Sequence, residues 1–429
     1  MKLRKWFAAR GPIYVLRRAH ALLGRYGMTP AKAMDRILAC MAVLAKHGCA
    51  PTLPTPGRVV ERYPQFVRRL QDAGAEIAVH SYDHVDLAAL APAEASQQLV
   101  HAAEVFGAHG VEVRGFRCPY LSCTDELLDA LPRGLFEYSS NKPIRWDVIA
   151  TTRNHSAAGN TEVLERLYQP LPAHCTVCAP SGRSSLVELP VCLPDDLELH
   201  DGWQLDPEGV AQAWIQVLQR SHQRGELFDL LFHPELADLC QEPLAAVLRE
   251  ARRLDPLVWI ARLCDVSDWW REKAGFGVTT SHTSTGLCIS FHCSHRATIL
   301  ARGLNASDSG VSWNGAYRRF MGRELLVPSG CRPFVGLSEH TPPSTIAFLR
   351  EQGYVVDDSD EARDCSLYLE AATLTGLKNE AELVDYIEKS SDPLVRYWRW
   401  PDGAQSALCI TGDLDALTLL DYLSRLSVR

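Results

Sequence analysis

A chain of 429 residues leaves room for two or three domains at roughly 150 residues each, every one able to bury a core. With 46% hydrophobic and 22% charged residues it has the composition of an ordinary globular protein. The formal net charge of -8, with no Lys/Arg cluster beyond the first turns of the chain, argues against a nucleic-acid-binding surface, which needs clustered cations.

The opening residues, MKLRKWFAARGPIYVLRRAHALLGRYG, mix basic and aromatic side chains. Arg10 and Pro12 break their apolar pieces, so no signal-peptide core is read; nowhere does an apolar run reach the roughly 18 residues of a membrane-spanning helix. Such a start suits weak contact with an anionic membrane face, although a solvated helix is its plainer meaning. The 14 cysteines sit at irregular spacings inside apolar runs and read as buried, reduced thiols, which implies a cytoplasmic protein. Cys175 and Cys178 form one CxxC without a second pair at zinc-ribbon spacing.

From residue 29 helices and strands alternate. TPAKAMDRILACMAVLAKHG has Thr29 as N-cap, Pro30 opening the helix and Gly48 as stop. PQFVRRLQDAG is a second amphipathic helix, and AEIAVHSYDH a buried strand that breaks into polar residues. The rhythm continues through the helix AEASQQLVHAAEVFGAHG, the strand VEVRGFRCPY, DELLDALPRG, LVELPVCLPDD, the helix PEGVAQAWIQVLQRSHQRG and the strand LFDLLFHPE. PLAAVLREARR and LVWIA then lead to DVSDWWREKAG. Strands alternating with helices imply parallel pairing with helices outside, in a barrel-like or layered α/β domain. After residue 275 the chain turns rich in Thr, Ser and His with short alternating pieces, then reads strand, helix, strand. We divide it into a domain over 1–275, a β-rich then α/β accessory domain over 276–400, and a C-terminal strand and helix, 401–429, that return to the first domain by way of the loop YWRWPDGAQS.

Three stretches carry chemistry. In HSYDH, His80 and His84 are spaced so that both imidazoles can face one metal ion, although surface His pairs of this spacing are common. In RGFRCPYLS, Arg114 and Arg117 flank a strand end, where an Arg can keep a carboxylate ionised and a backbone N–H can help form an oxyanion hole; a surface ion pair is the plain alternative. In FDLLFHPE, His233 closes an apolar strand, a place for a general acid. His282, His292, Cys293 and His295 have no matched spacing and read as unrelated.

HxxxH, RxxRxPY and LxxH, in this order, resemble the NodB-homology polysaccharide deacetylases over residues 29–275. The resemblance implies a deformed (β/α) barrel and a divalent metal, usually zinc, held by one Asp and the two His. The family's first motif, an acid pair ending its first strand, is missing from residues 1–50. SALCITGDLDALT at the far end looks like that strand, which implies a circularly permuted chain whose C-terminal strand completes the barrel; exchange of the strand within a homodimer satisfies the same pattern. Carried over, the resemblance makes His80, His84 and Asp415 the metal ligands, Asp413 the base toward a metal-bound water, Arg117 its orienting partner, His233 the acid, and the backbone N–H of Tyr120 an oxyanion donor. Asp195, Asp196 and Asp201 compete as partner of His233, and Trp203 either stacks on a sugar or is simply buried. The implied activity is removal of an N-acetyl group from an amino sugar in a glycan or glycan intermediate. The rivals are hydrolysis of another amide on the same fold, as in a deformylase or an allantoinase-like enzyme, and a decayed site that only binds glycan.

Overall fold

The computed structural model describes residues 24–148, 168–183, 185–304, 310–328, 330 and 332–425, so the basic, aromatic start lies outside the described residues up to Leu23. One sheet dominates. In chain order its strands are β1 (Thr52–Thr55), β2 (Glu76–Val79), β3 (Gly115–Phe116), β4 (Tyr138–Ser139), β5 (Pro143–Arg145), β6 (Leu171–Pro172), β7 (Ser181–Arg183), β8 (Leu186–Glu188), β9 (Val191–Leu193), β10 (Leu227–Phe232) and β11 (Val258–Ile260). After ten strands of a second region comes β22 (Ser406–Gly412). The spatial order is β6-β5-β9-β10-β22-β1-β2-β3-β4-β8-β7, with β11 also against β22. Every pair is parallel except β7–β8. With helices over its outer surface, the curled sheet is a deformed (β/α) barrel that stays open between β6 and β7, the architecture the alternation of helices and strands leads one to expect.

Patterning explains the layers. The helix Ala31–Lys46 buries Ala33, Ile37, Cys40 and Leu44, one stripe at helical spacing, and Pro64–Asp72 buries Phe66, Val67 and Leu70. Pro207–Arg224 is bounded by chemistry legible in its residues: the Asp206 carboxylate accepts from the Gly209 N–H at 2.8 Å, and Gly225 leaves in the left-handed region at φ +66°. β1, β2, β10 and β22 are buried at every position, as parallel strands covered on both faces must be.

β22 is the middle of this sheet, although it is nearly last in the chain. Leu227 to Phe232 of β10 align with Ala407 to Gly412 along one edge. Val258–Ile260 pair with Ser406–Leu408 along the other, and Thr52 meets Thr411 near its end. All of this pairing occurs within one chain.

Residues 277–397 build three small sheets. β12 (Gly277–His282), β13 (Gly286–His292) and β17 (Glu324–Pro328) are antiparallel, as are β14 (Ile299–Arg302), β15 (Gly310–Ser312), β16 (Arg318–Phe320) and β21 (Leu394–Tyr397). β18 (Arg332–Leu337), β19 (Val356–Asp357) and β20 (Cys365–Leu369) are parallel. YWRWPDGAQS is more than a returning loop: its first residue ends β21, and Trp398, Arg399 and Trp400 are buried against the barrel. The Trp400 indole donates to Gly225 O at 2.9 Å, and Arg399 O accepts from the Trp269 indole at 2.7 Å. No helix among the described residues is long and apolar enough to cross a membrane.

Candidate active site

Parallel strands end on one side of the barrel, so residues that follow them converge there. His80 follows β2, Arg117 follows β3, Ser140 follows β4, Asp195 and Asp196 lie just past β9, His233 follows β10 and Asp413 follows β22. Segments distant in sequence thus meet at one end of the sheet.

Arg117 is the hub. It is fully buried, and all five guanidinium N–H donors find acceptors: Ser140 O (3.1 Å) from Nε, Thr411 Oγ1 and Asp413 Oδ1 (both 2.9 Å) from one terminal nitrogen, and Ser140 Oγ (2.8 Å) and Asp229 Oδ2 (2.7 Å) from the other. Burial alone would depress this guanidinium, but Asp413 and then Asp229 outweigh it and hold the group above its ordinary value. Burial pushes the Asp229 carboxyl up to about 6 despite Arg117. A fully satisfied buried network of this kind fixes geometry, and removal of Arg117 or of either carboxylate leaves buried charge poorly matched.

Beside it lie His80, His84 and Asp415, with ligand atoms within 4.8 Å of one another. His80 Nδ1 stands 2.8 Å from Arg117 O, which can only accept, so Nδ1 carries the proton and Nε2 presents a lone pair. Nε2 is 3.8 Å from both Asp413 Oδ2 and Asp415 Oδ1. Burial lowers both histidines, His84 to about 4, so both are neutral near pH 7. Burial works against ionisation of Asp415, yet His84 and Arg425 hold it well below the usual carboxylate range.

Two imidazoles and a carboxylate are a donor set that fits a divalent cation such as zinc. One contact must change for His84 to serve. Arg425 donates to His84 Nδ1 at 2.9 Å, so the ring proton sits on Nε2, which donates to Asp415 Oδ1 at 2.8 Å. Arg25 and Arg425 also stand 3.5 and 3.6 Å from Asp415 Oδ2, supplying positive charge where a cation would sit.

Of the three acids near His233, Asp196 is its partner: the ring Nδ1–H donates to Oδ1 at 2.7 Å and the backbone N–H to Oδ2 at 2.8 Å. Burial opposes the imidazolium, but Asp196 outweighs it and raises His233 to about 10. Asp195 instead accepts from Tyr168 OH at 3.0 Å and from the Glu198 N–H at 2.8 Å, and Asp201 neighbours His200 at 3.0 Å on the surface side. Tyr120 lies edge-on to His84 with ring centroids 5.3 Å apart. Its φ is +61°, and Leu121, Ser81 and His84 also have positive φ, at +56°, +57° and +55°. Non-glycine residues in this region each cost on the order of 1–3 kcal/mol, and such strain gathers at functional sites.

Other candidates go elsewhere. Arg114 pairs with Glu137 and Asp268 near the surface, Trp203 packs in the barrel core, and no cluster of three ligating side chains forms around Cys175 and Cys178 or around His282, His292, Cys293 and His295 among the described residues. Sequence reasoning missed Asp229, Arg25 and Arg425. A lone acid inside the apolar run LFDLLF was a usable signal for Asp229; nothing in the sequence marked the two arginines.

The family model described as polysaccharide deacetylase matches residues 32–134, a stretch that holds His80, His84, Arg117 and Tyr120 and stops before His233, Asp413 and Asp415. The resemblance read from the motifs is borne out over that stretch, and the class of activity it supports is deacetylation of glycans. Among solved structures the chain is similar to a polysaccharide deacetylase candidate from Mycobacterium smegmatis (20% identity, covering 56% of this chain and 77% of that one, TM-score 0.41). A family 4 carbohydrate esterase from Streptomyces lividans in complex with acetate shares 16% identity, covering 50% and 80%, with a TM-score of 0.29. A family 4 pseudoenzyme from Bacillus anthracis shares 16%, covering 55% and 62%, with a TM-score of 0.33.

Proposed function

We propose that the protein is a metal-dependent hydrolase that removes an N-acetyl group from an amino sugar in a glycan or glycan intermediate. The observation that carries the reading is the meeting of Asp413 and Asp415, from the C-terminal strand, with Arg117, 296 residues before Asp413, and with His80 and His84, earlier still. His80, His84 and Asp415 would hold the metal, most simply zinc. When bound, it would supply Lewis-acid polarisation of the acetyl carbonyl and lower the pKa of a water toward about 7. Asp413, fixed in orientation by the Arg117 guanidinium that donates to its Oδ1 at 2.9 Å, takes the attacking water's proton. His233, kept charged by Asp196, gives its proton to the departing amine. The backbone N–H of Tyr120 stabilises the developing oxyanion. The same proposal takes the chain as circularly permuted and sets it in the cytoplasm, in keeping with its free thiols: Cys178 and Cys192 share a hydrogen bond at 3.5 Å between sulfurs and no disulfide.

The test is acetate release from a panel of N-acetylated amino sugars and oligosaccharides by the zinc-loaded protein and by Asp413→Asn. Activity in the wild type that falls by roughly 100-fold or more in the variant is expected for loss of a general base; equal rates would remove Asp413 from the mechanism. A second reading, a glycan-binding barrel without turnover, is favoured by one observation, the Arg425 donor on His84 Nδ1. Saturable glycan binding by protein that takes up no zinc at micromolar concentration would decide for it.

A further inference from the structure

Away from this site, at the opposite end of the barrel, a cavity of about 340 Å³ opens between the barrel and the accessory sheets. Glu226 immediately precedes β10 and Gln405 immediately precedes β22, so both stand at the strand starts, whereas His233 and Asp413 follow the strand ends. Six residues of β10 separate the two faces, roughly 20 Å at strand rise. The volume lies within the range of small-molecule sites, about 300–1,000 Å³.

The lining is neither apolar filler nor a closed ion-pair network. Arg224, Arg302, Arg396 and Arg399 face Glu226, Asp385 and Glu388 across it, four guanidinium groups against three carboxylates. Glu388 serves Arg396 at 2.8 Å and Arg302 at 3.5 Å, and Glu226 serves Arg224 at 2.8 Å. Arg399 bonds only neutral oxygens, Gln352 Oε1 (2.6 Å), Arg224 O (3.0 Å) and Gly225 O (3.2 Å). Burial, and then repulsion from Arg396, depress the Arg399 guanidinium to about 10, as expected of positive charge that is not neutralised.

Four lining side chains also keep a polar atom without a partner among the described residues: Arg396 Nε and Trp313 Nε1, which donate, and Glu226 Oε2 and Gln405 Oε1, which accept. Arg396, Glu226 and Gln405 are 1%, 2% and 1% exposed. Buried polar atoms left unmatched are costly; these four have almost no accessible surface as the side chains stand, and they meet a ligand once those side chains turn into the cavity they line. Half-buried Trp313 stands edge-on to Trp398 with centroids 6.3 Å apart. Unmatched donors and acceptors, surplus cation and an indole at the rim together describe one ligand chemistry. Sugar hydroxyls both donate and accept, a pyranose face stacks on indole, and an acid substituent answers the arginines.

We propose that this cavity is a non-catalytic binding site for a sugar bearing an acid group, a carboxylate or a phosphate. It is independent of the hydrolase reading, since none of its residues lies at the catalytic end of the barrel. The test is calorimetric titration of the full chain with glucuronic acid, glucose 6-phosphate, glucose and inorganic phosphate. Saturable binding of at least one acid sugar is expected, and the two acid-sugar arms tell carboxylate from phosphate. Trp313→Ala, at a half-buried position, should weaken binding roughly tenfold while leaving any acetate release unchanged, with its melting temperature recorded alongside. Arg399→Gln should abolish it, with its melting temperature recorded alongside, and His80→Ala should bind as the wild type does. The proposal is overturned if no acid sugar binds at millimolar concentration, if glucose or phosphate alone binds as tightly as the acid sugars, or if Trp313→Ala binds unchanged.

Discussion

His233 holds its proton because Asp196 accepts from both its ring and its backbone N–H, reversing what burial alone would do. Asp196→Asn removes that charge, the largest influence opposing burial, and leaves only the weaker pull of Asp415 against it. The His233 ring, which should titrate near 10 in the wild type, is then expected to titrate below 6.5, as followed by NMR of the imidazole carbons. The sign for stability follows: a raised histidine stabilises the fold fully below its unfolded value near 6.5, and that contribution is lost as pH rises through about 10. Arg425 poses the complementary case, a cation set against two prospective ligands of a cation. On the proposed reading, Arg425→Met frees His84 Nδ1 and relieves charge repulsion, so zinc should bind more tightly in competition with a chromogenic chelator. Weaker binding in the variant would show that the arginine supports the ligand set instead of competing with it.

At the scale of elements, β22 decides the architecture. Its central position depends on close packing at its end, where Gly412 hands over to Asp413. A Cβ on Gly412 would lie 2.7 Å from Pro234 Cγ and 3.1 Å from both Leu53 Cδ2 and Phe232 Cε1. Pro234 has no rotamer with which to give way, so Gly412→Ala forces the strand end to shift. We expect a loss of about 1–3 kcal/mol in urea denaturation, with catalysis falling further than stability because Asp413 moves off Arg117. Elements were legible where pattern and punctuation agreed: the helix Pro207–Arg224 has its cap, opening proline and closing glycine written in its residues. They were less legible where pairing sets the limits. VEVRGFRCPY reads as a full strand, yet only Gly115–Phe116 pair, since their neighbours in β2 and β4 offer no longer register. PLAAVLREARR gave only the later part of Ala237–Ala251, because Pro243 looks like a start and is tolerated inside a helix packed on the core.

For the whole molecule, the spatial closeness of the two ends of the described chain matters most. The Leu419 N–H donates to Gly27 O at 2.9 Å, and the Tyr26 and Tyr422 rings lie 5.2 Å apart. A chain rebuilt with residues 402–425 placed ahead of residue 24 through a short Gly–Ser linker should therefore fold to the same structure, with a melting temperature within a few degrees of the original. Failure to fold would mean that the connection from β21 through Trp398 and Trp400 is needed to seat β22, and that the present strand order is not interchangeable with one in which β22 comes first.

The sequence by itself determined the alternation of helices and strands, the motifs around His80, His84, Arg117 and His233, and the acid pair in need of partners. Those are local properties, set by side-chain periodicity and by residue types at strand ends. Only the tertiary structure decided that Asp196, and not Asp195 or Asp201, faces His233, that Asp229 shares Arg117 with Asp413, and that Arg25 and Arg425 reach Asp415. These are contacts between segments up to 390 residues apart, and no local pattern records them because each depends on which strands lie side by side in the curled sheet.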